Sequence, residues 1–154
     1  MSYLWSLMLL WLAVLPSAPQ AGSSSLAITI SAPVETIKAG SRLYIKITMT
    51  DISNDPVDCS SYYVSGTDRR FRIEILNSQG ELMKKKDLHP ENVPGSFASC
   101  MLQPGESVTR DDLVSWANDL THPGVYTIQV QRVVGKDEKS GIAKSNAITI
   151  TVTP

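Results

Sequence analysis

Histidine is almost missing from this chain: His89 and His122 are the only two. Each stands beside a proline in a turn-rich segment, where a solvated loop side chain is the simpler assignment. With so few imidazoles and two cysteines, a zinc site or a hydrolytic triad is short of parts. No Gly-x-Ser-x-Gly elbow, no glycine-rich phosphate loop and no Asn-x-Ser/Thr sequon occurs. The sequence therefore points away from an enzyme, and no catalytic residue, metal ligand or cofactor is assigned.

An excess of either charge is also missing. Lys and Arg total 14 against 15 Asp and Glu, for a net charge of −1. Phosphate backbones are bound by a clear basic excess. Nucleic acid is not expected as a partner, which leaves protein as the expected one.

Charge is absent altogether from Tyr3 to Leu15, a run dominated by Leu and carrying Trp5 and Trp11. Pro16 ends it, and the small-residue stretch from Ser17 to Ser23 follows. An apolar run of this length before small residues is the order of a secretory signal. It is shorter than the roughly 20 residues of a spanning helix. Residues 1–21 are therefore read as a signal peptide, cleaved after Ala21, and 22–25 as a linker. A secreted or periplasmic protein follows, with no membrane span after signal removal. The alternative is anchoring by an uncleaved N-terminal segment, and the lack of any Lys or Arg before the apolar run keeps it open.

Cys59 and Cys100 are the only cysteines. In an oxidising compartment an even number favours pairing. The sequence predicts one Cys59–Cys100 disulfide, against two buried free thiols in a chain that stays in the cytosol.

What is abundant is short, alternating apolar and polar segments, the pattern of strands with one buried face. Leu26, Ile28 and Ile30 share a side. So do Leu43, Ile45, Ile47 and Met49; Phe71, Ile73 and Ile75; Tyr126, Ile128 and Val130; and Ile148, Ile150 and Val152. Turn residues separate them, at Ala39-Gly40-Ser41, Ser53-Asn54-Asp55-Pro56, Asn77-Ser78-Gln79-Gly80, Gln103-Pro104-Gly105 and Pro123-Gly124. Val57 to Asp68 reads as a loop, and Asp111 to Leu120 as holding a helical turn. With no long amphipathic helix, residues 26–154 are expected to be one all-β domain, an antiparallel sandwich of seven to eight strands.

Tyr126 follows the Pro123-Gly124 turn at the start of a late strand. This resembles the tyrosine corner of immunoglobulin-like domains, which implies a hydroxyl bonded to upstream backbone. Ile128 stands where antibody domains carry a cysteine, so the antibody core disulfide is not expected. The order of turns and strands, from Ala39-Gly40-Ser41 through Leu102-Gln103-Pro104-Gly105-Glu106-Ser107 to Pro123-Gly124-Val125-Tyr126, resembles small exported bacterial immunoglobulin-like domains. It is more distantly similar to the BsuPI-type proteinase-inhibitor domain, though no inhibitory loop residue carries over.

Candidate sites are few. Tyr62 and Tyr63 near Cys59, with Trp116, are candidate partner-binding aromatics. Asp111, Asp112 and Asp119 form one acidic group, and Asp51, Asp55 and Asp58 another. Neither has calcium-loop spacing, so both read as surface carboxylates. Lys84-Lys85-Lys86 reads as a solvated edge. The sequence thus describes an exported, non-enzymatic binding or interaction module of unknown partner. The alternative is a proteinase inhibitor of the sandwich type.

Overall fold

A computed structural model describes residues 24–64, 67–86, 94–134 and 141–154. The expected signal peptide, His89, and residues 22 and 23 of the expected linker lie outside them.

The chain opens with β1 (Leu26–Ser31), β2 (Thr36–Lys38) and β3 (Tyr44–Asp51). Pro33 separates β1 from β2, and its missing N–H suits a break in pairing. The turn before β3 needs a left-handed residue, which Gly40 supplies at φ 77°. Next come β4 (Val57–Asp58), β5 (Ser61–Val64), β6 (Thr67–Asp68) and β7 (Phe71–Leu76). After them lie β8 (Ser96–Ala98), β9 (Met101–Leu102), β10 (Ser107–Leu113) and the short helix α1 (Val114–Ala117). The chain closes with β11 (Gly124–Val133), β12 (Ile142–Lys144) and β13 (Ile148–Thr153).

Two sheets form an immunoglobulin-like sandwich. The first has the antiparallel order β1-β3-β10. The second is built on β11, which pairs β7 along one edge and β13 then β12 along the other. β2 completes that sheet by running parallel to β13. Register follows the alternation. Ile28 faces Met49 and Ile30 faces Ile47 in the first sheet. Ile128 lies between Ile75 and Ile148 in the second. These inward rows make one core that includes Ile45, Met49, Ile128 and Val130, all fully buried. The outward row Thr29, Thr48 and Thr109 crosses the first sheet, with Thr48 and Thr109 hydroxyls 2.8 Å apart.

Strand count is where sequence and structure differ. The segment 57–68, expected as a loop, folds into β4, β5 and β6. They pair with β8 and β9 in two small sheets, β4-β9 and β6-β5-β8. Strands of two to four residues show too few alternations to be legible from sequence. Glu81 to Lys86, which carries the expected Lys84-Lys85-Lys86 edge, forms no named strand and pairs through the isolated bridges Leu76 to Leu82 and Lys85 to Asn118.

Candidate functional site

The small sheets are held at the end of the sandwich by a disulfide and a buried arginine. Cys59 and Cys100 are bonded across a chain separation of 41, with Cα atoms 4.9 Å apart. The Cys59 N–H donates to the Cys100 carbonyl at 3.0 Å, and the Cys100 N–H donates to Ser60 Oγ at 3.0 Å. Neither sulfur is then a thiol nucleophile.

Arg132 comes up from β11 beneath them. It is 2% exposed. Its Nη2 donates to the Ser60 carbonyl at 2.8 Å and more weakly to that of Asp58 at 3.3 Å. Its guanidinium lies over the Phe71 ring, 5.3 Å from the centroid. Burial lowers its pKa, with Arg70 adding to the effect. The alternation of Tyr126, Ile128 and Val130 makes position 132 the next inward one, so the signal was present: a charge where the core pattern calls for an apolar side chain.

The same parity on β10 directs Arg110 and Asp112 inward. Arg110 Nη1 lies 3.7 Å from Asp68 Oδ2, with side chains 14% and 2% exposed. Asp68 Oδ1 accepts the N–H of Tyr62 and of Arg70, at 3.1 and 3.0 Å. The Asp68 N–H donates in turn to Asp112 Oδ2 at 2.9 Å. Asp112 Oδ1 is buried with no hydrogen-bond partner among the described residues. Burial, helped by the neighbouring Asp68 carboxylate, pushes Asp112 up to about 6. Asp68 thus ties β5 and the turn into β7 to β10.

Neither acidic group of the sequence assembles. Asp111 points outward to Lys46 Nζ at 3.3 Å, Asp112 is buried, and Asp119 accepts the N–H and hydroxyl of Thr121. Asp51 is buried and bonded to Ser53, whereas Asp58 meets Arg70 at 2.6 Å. Two of these residues, Asp51 and Asp112, correct the surface reading: their positions are inward and the fold closes over them. Among the described residues no group of three or more His, Cys, Asp or Glu is placed to hold a metal ion. No helix there is long and apolar enough to cross a membrane. Tyr126 donates its hydroxyl to the His122 carbonyl at 2.9 Å.

The three candidate aromatics divide. Tyr62 and Tyr63 lie on β5, and Tyr62 is 44% exposed beside its cross-strand partner Phe97, which is 64% exposed. Met101, on β9, is exposed as well. Phe97 and Met101 carried no signal in the sequence, because exposure of a lone apolar residue has no pattern. Trp116 lies on α1 and borders a separate cleft of about 370 Å3 that neither tyrosine lines.

No protein-family model matches the sequence. No curated protein matches it either. Among solved structures, the chain is similar to Spo0M, the sporulation control protein of Bacillus subtilis. The TM-score is 0.50 at 9% identity, over 85% of this chain and 50% of that one. The chain thus spans about half the length of Spo0M. The C-terminal domain of wzt gives a TM-score of 0.49 at 9% identity, over 89% of this chain and 80% of that one. The CARDB domain of a Pyrococcus furiosus protein, solved with di-metal ions, gives 0.43 at 14% identity, over 83% and 87%. At these identities the likeness is one of fold alone.

Proposed function

We propose that this protein is an exported, non-enzymatic binding module that meets a protein partner through the small sheets around Cys59–Cys100. The observation that carries the reading is the outward Tyr62–Phe97 pair. Two neighbouring large apolar side chains, with Met101 exposed on β9 of the other small sheet, face solvent on a scaffold fixed by a disulfide. Aromatic and Met side chains on a rigid support are the usual anchors of protein interfaces. Rigidity matters because it removes much of the ordering cost of association. Export is supported by the disulfide and by the apolar run at residues 3–15.

Site-specific photo-crosslinking in producing cells tests this. A photoreactive residue at position 97 is expected to trap one discrete protein adduct. The same residue at Thr109, on the outer face of the first sheet, is expected to trap none. Equal labelling at both positions, or no adduct at 97, removes the reading.

A further inference from the structure

The cleft against Trp116 is lined by neither Tyr62 nor Phe97, and its walls are fixed by backbone bonds. The Val114 N–H donates to the Leu43 carbonyl at 3.0 Å and docks α1 on the start of β3. The Gly40 N–H donates to the Leu120 carbonyl at 3.0 Å and closes the floor. The Lys86 N–H donates to the Ala117 carbonyl at 2.9 Å, and Lys86 Nζ donates to the Ser115 carbonyl at 2.9 Å. Asn118 Nδ2 donates to the Val114 carbonyl and holds the last turn of α1.

The lining is chemically mixed in an ordered way. Trp116 supplies a flat apolar face and is 43% exposed. Arg42 and Lys86 bring two positive charges, and neither forms an ion pair with any carboxylate among the described residues. Ser115 Oγ accepts the Leu43 N–H at 3.0 Å, so its own hydrogen is free to donate. Thr121 Oγ1 donates to Asp119 at 2.7 Å, so its lone pairs are free to accept. Ser41 adds a third hydroxyl. Asp119 is the nearby carboxylate, and it is engaged by Thr121 rather than lining the cleft.

A ligand matched to this lining has a flat apolar face, hydroxyls that both donate and accept, and a negative charge. The volume lies within the range of about 300–1,000 Å3 usual for small-ligand pockets. We propose that the cleft binds an acidic saccharide, with one uronic-acid-type ring stacked on Trp116 and its carboxylate on the Arg42 guanidinium. The fork geometry of Arg suits a carboxylate, and Lys86 adds charge at the second position.

The test uses the full chain with Trp5→Phe and Trp11→Phe. Trp116 is then the sole indole, since the chain has three tryptophans. Trigalacturonate is titrated while its fluorescence is followed, with maltotriose as the neutral probe and inorganic phosphate as the bare anion. Trigalacturonate is expected to saturate, and Arg42→Gln, an exposed change, to weaken it about tenfold. High salt is expected to weaken it as well. Calorimetry on Trp116→Ala is expected to show binding lost. Three results would overturn the proposal: no saturation by trigalacturonate up to about 10 mM, maltotriose binding equally well, or phosphate binding as tightly as the saccharide.

Discussion

Asp68 and Asp112 are joined by a 2.9 Å hydrogen bond from the Asp68 N–H to Asp112 Oδ2, and both side chains are sealed from solvent. Around them stand Arg110 from the same strand as Asp112, Arg132 from β11, and Arg70 with Asp58 at the rim. This is a charged cluster placed where two β-sheets would ordinarily meet through apolar side chains.

Stability of the protein is expected to fall as pH rises through this cluster. Asp112 ionises near pH 6 in the folded protein against an ordinary value of 3.8. Between those values the folded state binds more protons than the unfolded one, so folding weakens with rising pH and levels off above about 6. Asp112→Asn is expected to abolish that slope. Above pH 6 it should be the more stable protein by about 2–3 kcal/mol, the worth of a shift of this size. Urea midpoints taken across the window measure it. A slope unchanged in the variant would place its origin elsewhere.

Reduction of the disulfide is expected to cost about 4 kcal/mol on the loop-entropy account of a 41-residue separation. The Cys59→Ala, Cys100→Ala double variant should show that loss in urea unfolding and become insensitive to reductant. A parent protein whose midpoint ignores reductant would contradict it.

Arg132→Met keeps an unbranched apolar stem, ends two atoms short of the guanidinium nitrogens and removes the donors. The Ser60 and Asp58 carbonyls lose their partner, for an expected loss of about 2–4 kcal/mol. The loss should be local. Amide exchange at Cys59 and Tyr62 is expected to quicken far more than at Ile47 in β3. Uniform quickening would mean that Arg132 supports the whole sandwich rather than its disulfide end.

Tyr126→Phe removes only the bond to the His122 carbonyl. The ring stays in the core, so a loss of about 1 kcal/mol is expected, without change in the surface exposed on unfolding. A change in the denaturant slope would show that the turn at His122 had come apart instead.

The long strands were legible because each buried face repeats every second residue. β1, β3, β7, β11 and β13 all place the predicted side chains inward. The Cys59–Cys100 bond was legible too, but β4, β5 and β6 beside it were not, since they are set by Cys59, Asp68 and Arg132 rather than by a pattern of their own. Asp68 carries no local mark of its role. Arg132 and Asp112 do, being charges at inward parity, and that parity separates buried carboxylates from surface ones where mere clustering along the chain does not. For the cleft, Trp116 stood out in the sequence, but Arg42 and Lys86 reach it only through the packing of α1.

β2 has a consequence for how the molecule is made. Its partner is β13, and Thr153 Oγ1 reaches back to the Ile37 carbonyl over a chain separation of 116. An early strand therefore waits for one of the last before the second sheet can close. Pairings over such distances close slowly. Until β13 has been made, β2 has no partner in that sheet.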